Sequence, residues 1–116
     1  MKIPILSYHS ISNEDCPLSL KLIEFEKQLI FFKKNNFQSV HFNEIKDLSS
    51  KKFIITFDDG YKDLIINALP LLKKYKFKAT CFIISNLIGK KNIWDKLNTN
   101  IKDKELMNLS DIHFWV

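Results

Sequence analysis

Short apolar runs separated by polar clusters set the rhythm of this chain. KIPILSY (2–8) is one such run and predicts a buried strand. Phe25, Leu29 and Phe32 recur at i, i+4 and i+7 within IEFEKQLIFFKKNN, which predicts one face of an amphipathic helix. Lys33 and Lys34 occupy its last turn, and two asparagines stop it. FQSVHF predicts a second strand, NEIKDLSS a helical turn or two, and KKFIITFDD the strongest strand of the chain. YKDLIINALPLLKKYK predicts a helix in two pieces. Pro70 falls in the first turn of the second piece, where its missing N–H costs nothing, and Leu71, Leu72 and Tyr75 then face inward. KATCFIIS predicts a further buried strand. KDKELMNLSDIHFWV is expected to start helical, with Asn108 or Ser110 capping a new helix.

Strands alternating with helices imply an α/β fold with a parallel sheet and right-handed crossovers. The predicted strands are continuous apolar runs, as strands covered on both faces should be. In such folds chemistry collects at the C-terminal ends of the strands. Three of those ends carry polar or titratable groups: His9, the Asp58–Asp59 pair, and Ser85 with Asn86.

Length and composition narrow the picture without settling it. A chain of 116 residues makes one domain at most, and 46% hydrophobic residues with ten phenylalanines are enough for a core. No run approaches a membrane span, so no transmembrane segment is expected. The N-terminus has no h-region or small-residue cleavage site, so as written the chain is expected in the cytoplasm. The formal charge of +5 comes largely from scattered lysine pairs, which suit helix ends and solvated faces. No lysine–aromatic arrangement suggests nucleic-acid readout, so no nucleic-acid partner is expected. Cys16 and Cys81 form neither a disulfide framework nor a zinc knuckle.

Asp58 and Asp59 close the strongest strand and are followed by Gly60. On an ideal strand neighbours point to opposite faces, but a tight turn at Gly60 would let both carboxylates serve one pocket. Like charges so placed repel, and a bound divalent cation relieves them. One aspartate could then hold the metal while the other accepts a proton, a division of labour suited to hydrolysis. The plainer alternative is an acidic turn capping the next helix. A magnesium-dependent phosphoryl-transfer site also uses aspartates at strand ends, but it wants a lysine and a hydroxyl at later strand ends.

The letters around the pair carry more. TFDDG (56–60) following LSYHSI (6–11) resembles the polysaccharide deacetylase family of carbohydrate esterases. The similarity extends to Phe25, Gln28 and Leu29 in the first helix. It continues through YKDLIINALPLLKKYKFKATCFII, and through KNIWDKL followed by ELMNLSDI. The resemblance implies a partial, distorted (β/α) barrel with parallel strands and a metal-dependent hydrolase that removes acetyl groups from N-acetylated polysaccharides or glycans. It implies one divalent metal, usually zinc. Residue by residue, Asp58 matches the general base and Asp59 the carboxylate metal ligand. His9 falls at the active-site face, with a lone histidine ending a strand as its alternative. Tyr61 is a candidate for lining the substrate groove, with a packing aromatic as its alternative.

The family's other metal ligands, two histidines in an H-x-x-x-H pattern, have no counterpart among His9, His41 and His113. LMNLSDIHFWV resembles the helix just before that motif. The expectation is therefore that residues 1–116 form the N-terminal part of a deacetylase-like domain, truncated, with the missing C-terminal half as a possible partner. The alternative is a catalytically inactive remnant or a fragment that binds a sugar or another partner.

Overall fold

The computed structural model describes residues 2–46 and 50–116. Six strands and three α-helices follow in the order β1 (Ile5–Tyr8), β2 (Ser10–Ile11), β3 (Ser19–Leu20), α1 (Leu22–Lys34), β4 (Gln38–Ser39), β5 (Lys52–Asp59), α2 (Leu69–Tyr75), β6 (Thr80–Ile83) and α3 (Leu109–Trp115). β5 organises the sheet. It lies between β1 and β4 and pairs through its last four residues with β6, and all three pairings are parallel. The first strand thus pairs with the long third run rather than with the second, unlike the consecutive order of a regular (β/α) barrel. β2 and β3 form a separate two-stranded parallel ribbon.

β5 is central because Phe53 through Phe57 are all buried, a run suited to a strand covered on both faces. α1 lays Phe25 and Leu29 against it, as their spacing predicts, with Phe32 packed at the edge of the same cluster. Aromatic rings fill the space between helices and sheet. Phe32 stacks on Phe53 at 4.3 Å between centroids, and Phe77 meets Phe53 edge-on at 5.0 Å. α1 ends at Asn35, and Asn36 turns the chain in the left-handed region (φ 59°). The two-piece helix is present as one wide π-helical turn (Leu64–Ala68) running into α2, with Pro70 in the first turn of α2.

Five expectations need correction. KIPILSY is not a buried strand: β1 covers only Ile5–Tyr8, Ile5 is 54% exposed, and Tyr8 alone of the four is buried. FQSVHF supplies only the two residues of β4. NEIKDLSS contributes part of a 3₁₀ turn (Phe42–Glu44), and its residues 47–49 lie outside the described residues. KATCFIIS is not a buried strand: Phe82 is 52% and Ile83 41% exposed, because β6 pairs with β5 alone among the described residues. The segment from Lys102 to Met107 is extended rather than helical. It is held by antiparallel bridges Tyr61–Leu106 and Lys91–Glu105. Helix begins only at α3, capped by Asn108 and not Ser110. The Asn108 Oδ1 accepts from the Asp111 N–H at 2.9 Å, and Asp111 Oδ2 accepts from the Asn108 N–H at 3.0 Å.

Candidate active site

Asp58 and Asp59 are the last two residues of β5. Asp59 has φ 72° and Gly60 φ 70°, so two successive left-handed residues swing the chain out of the sheet. Aspartate tolerates that region better than most side chains, and glycine enters it freely. Gly60 is required for a second reason, since a Cβ there would sit 3.0 Å from Ile83 Cγ2 on β6. A strained non-glycine residue at a strand end is where functional geometry tends to be stored.

The parallel register places Tyr8 beside Phe57, and so brings His9, the next residue, level with Asp58. His9 Nε2 lies 3.9 Å from Asp58 Oδ2, and the two side chains are 41% and 42% exposed. So exposed a pair adds little stability, but it leaves both groups open to solvent and reagents. Asp59 is set deeper. Burial raises its carboxyl above the ordinary value, His9 opposes the rise, and the charges of Asp58 and Asp95 add to it. The repulsion expected between the two aspartates is therefore present but secondary to desolvation. Cys81, on the neighbouring strand, has its thiol pushed up to about 12 by burial, and the charge of Asp58 raises it further. It is no thiolate nucleophile.

Tyr61 does not line a groove. It is fully buried, bridges to Leu106, and packs against Trp94 at 6.4 Å between ring centroids. Its hydroxyl has no hydrogen-bond partner among the described residues, and burial raises its phenol well above the ordinary range. Ser85 and Asn86 stand exposed in a 3₁₀ turn after β6. His41 faces Thr80, with Nδ1 3.3 Å from Oγ1, and His113 is exposed on α3. Among the described residues no group of three or more His, Cys, Asp or Glu side chains could hold a metal ion.

Sequence reasoning missed the network under this turn. Lys104 is buried, with Nζ 3.0 Å from Asp63 Oδ2 and 2.9 Å from Glu14 Oε2. Asp63 also accepts from Ser10 Oγ at 2.6 Å and from the Ile11 N–H at 3.3 Å. The Lys104 N–H donates to Asn92 Oδ1 at 2.6 Å, and Asn92 Nδ2 donates to Asp95 Oδ2 at 3.1 Å. These bonds tie the residues after His9, those after Asp59, and the segment carrying Trp94 and Asp95 into one unit. A depression of about 680 Å³ lies elsewhere, lined in part by Leu69, Leu72, Phe77, Ala79 and Trp115. No aspartate or glutamate side chain among the described residues lines it, so the strand end is the better seat for hydrolytic chemistry.

Residues 45–109 match the family model for polysaccharide deacetylase. The chain belongs to the polysaccharide deacetylase family. It is 42% identical over 98 residues to Bacillus subtilis YxkH, named for the same family, covering 78% of this chain and 35% of that protein. It is 31% identical over 114 residues to the poly-β-1,6-N-acetyl-D-glucosamine N-deacetylase of Staphylococcus aureus, covering 93% of this chain and 39% of the relative. Among solved structures, a polysaccharide deacetylase from Bacillus cereus superposes with a TM-score of 0.77 at 26% identity, covering 99% of this chain and 35% of that one. The chain thus spans little more than a third of the length of these relatives. Both the α/β fold and the parallel strands agree with membership of the family. No helix among the described residues is long and apolar enough to cross a membrane.

Proposed function

We propose that this chain carries the first half of the active site of an enzyme that hydrolyses N-acetyl groups from a polysaccharide. The observation behind this reading is the Asp58–Asp59 pair on a left-handed turn at the end of the central parallel strand, with His9 facing Asp58. Asp58 acts as general base: it takes a proton from the water whose oxygen attacks the acetamide carbonyl carbon. The leaving nitrogen takes up a proton as the C–N bond breaks, and acetate and a free amine leave. Asp58 is suited to this because its side chain is 42% exposed and so open to water, with the His9 imidazole 3.9 Å away beside it. The S. aureus relative is named for poly-β-1,6-N-acetyl-D-glucosamine, and β-linked N-acetylhexosamine polymers are the substrate class we carry over.

Asp59 is the ligand we assign to the divalent metal, zinc, that the family resemblance implies. The donors at the turn do not by themselves fit a complete metal centre, which needs at least three protein ligands. The remaining ligands, and the strands that would complete a distorted (β/α) barrel, belong on this reading to a C-terminal portion. Residues 1–116 would then be the N-terminal part of that domain.

A chimera tests the assignment: this chain continued by the C-terminal portion of B. subtilis YxkH, assayed for acetate release from an N-acetylglucosamine oligomer. Release is expected from the chimera, and Asp58→Asn should reduce it about 10²–10⁴-fold. Full activity in that variant would remove Asp58 from the role. The incomplete donor set favours a second reading, a sugar-binding remnant without activity. It predicts a chimera that binds the oligomer and releases no acetate.

A further inference from the structure

The segment from Asn92 to Asp95 is a short 3₁₀ turn with few reasons to be rigid, yet it is pinned from several sides. Asn92 is buried at 2% exposure, and its side chain makes three hydrogen bonds: to Asp95 Oδ2, to the Lys102 carbonyl at 3.1 Å and from the Lys104 N–H. Its backbone N–H adds a bond to the Lys104 carbonyl at 3.1 Å, and the Asp95 N–H donates to the Asn92 carbonyl, also at 3.1 Å. The turn therefore holds Trp94 in a fixed pose above Tyr61. In that pose the indole is 43% exposed. Ile93 beside it is 49% exposed. A large aromatic held rigidly against solvent brings little to folding, whereas a preorganised aromatic surface favours binding.

Two further observations say what would bind. Asp95, the next residue, has its carboxylate oriented by Asn92, and Trp94 itself packs on Tyr61 at 6.4 Å between ring centroids. Trp94 and the aspartate turn therefore belong to one neighbourhood, joined through Tyr61, two residues past Asp59. A flat apolar ring beside an oriented hydrogen-bond acceptor suits a pyranose, which presents a face of C–H groups and a rim of hydroxyls.

We propose that Trp94 and Asp95 form a sugar subsite flanking the aspartate turn, with the indole stacked on a pyranose ring of a β-linked N-acetylhexosamine oligomer and Asp95 accepting hydrogen bonds from its hydroxyls. The proposal rests on the deacetylase reading for its ligand class and adds to it the place where a neighbouring sugar unit sits. Asn92 and Lys104 act as positioning residues for this surface.

The test is a two-dimensional ¹H–¹⁵N NMR titration of the 116-residue chain with a β-linked N-acetylglucosamine pentamer. The chain has two tryptophans, so the indole spectrum contains one signal from Trp94 and one from Trp115, and Trp94→Phe assigns them. The expected result is a saturable shift of the Trp94 signal with the Trp115 signal unmoved. Trp94→Ala should weaken binding about tenfold, as loss of an anchoring aromatic does. Asp95→Asn should weaken it less and leave the spectrum otherwise intact. A Trp94 signal that stays still at millimolar pentamer, whether or not other residues shift, overturns the subsite. Acetate release by the chimera reports on the deacetylase reading separately, so either idea can fail while the other stands.

Discussion

Lys104→Met is the substitution that most directly probes how the site is held. Lys104 is 7% exposed, and its ammonium lies between Asp63 at 3.0 Å and Glu14 at 2.9 Å. Methionine keeps most of the stem's volume and removes the charge. Glu14, half exposed, returns to water at little cost. Asp63 is the costly partner, because its side chain is only 16% exposed. Breaking a buried pair by deleting one partner costs about 3–5 kcal/mol. Asp63 keeps its bonds from Ser10 and Ile11, which places the expected loss near the lower end, about 3 kcal/mol. For a chain of this length that corresponds to a fall in Tm of roughly 12 °C. Urea melts followed by far-UV circular dichroism at pH 7 measure it. Removing both charges in Lys104→Met/Asp63→Leu should recover much of the loss, since the orphaned carboxylate is then gone. The pH dependence has a definite sign. Burial is the strongest influence on Lys104 and pulls its ammonium down, but the bonds and charges of Glu14 and Asp63 outweigh it and leave the group above its ordinary value. A raised lysine stabilises fully below its unfolded pKa, about 10.4, and loses that contribution as pH climbs past it. The gap between wild type and Lys104→Met should therefore narrow in alkaline solution. A Lys104→Met protein within about 0.5 kcal/mol of wild type at pH 7 would refute the argument, since that is the range of an ordinary surface change.

Three further substitutions read the turn itself. Asp59→Asn should raise Tm at pH 7: a carboxyl raised by burial holds its proton more tightly folded than unfolded, so it lowers stability as pH climbs above about 3.9. The advantage should vanish by about pH 3, and an unchanged Tm at pH 7 would show that Asp59 is well solvated. Gly60→Ala should cost about 2 kcal/mol, from the left-handed backbone and the 3.0 Å approach to Ile83, and a loss under about 0.5 kcal/mol would mean the turn relaxes freely. Tyr61→Phe should stabilise by about 1 kcal/mol because it removes a buried hydroxyl with no partner among the described residues, and a comparable loss in the urea melt would show that the hydroxyl is bonded after all.

Periodicity and end signals carried much of the fold. α1 was legible from Phe25, Leu29 and Phe32 with two lysines in the last turn, and β5 from a single unbroken apolar run. The break in the helix at Pro70 was legible from one residue. What failed was everything that depends on distant partners. Apolar letters in β6 could not say that Phe82 and Ile83 are left about half exposed. The charges of KDKELM looked helical because the bridges holding that segment come from Tyr61 and Lys91. The same division runs through the site. Two adjacent aspartates before a glycine can be read from the chain, but His9 joins them only through the parallel register of β1 on β5. Nothing near Lys104 in the sequence marks it for burial, since Glu14 lies 90 positions away. Tyr61 was placed by its neighbours in sequence, while its burial is decided by the segment that folds over it.

The pairing of β5 also orders the assembly of the site in time. β5 meets β6 across 24 residues (Thr56 to Thr80) and β1 across 49 (Ile5 to Ile54). Closing the shorter loop costs about 0.6 kcal/mol less chain entropy. The shorter pairing is also the one that engages Asp58 with Phe82 and Asp59 with Ile83. Chain entropy alone therefore favours, by that small margin, the pairing that holds the aspartate turn over the one that delivers His9. During synthesis from the N-terminus, β1 emerges early but has no sheet to join until β5 has left the ribosome. Its imidazole is made before the aspartates it faces and waits for β5 to be put in place.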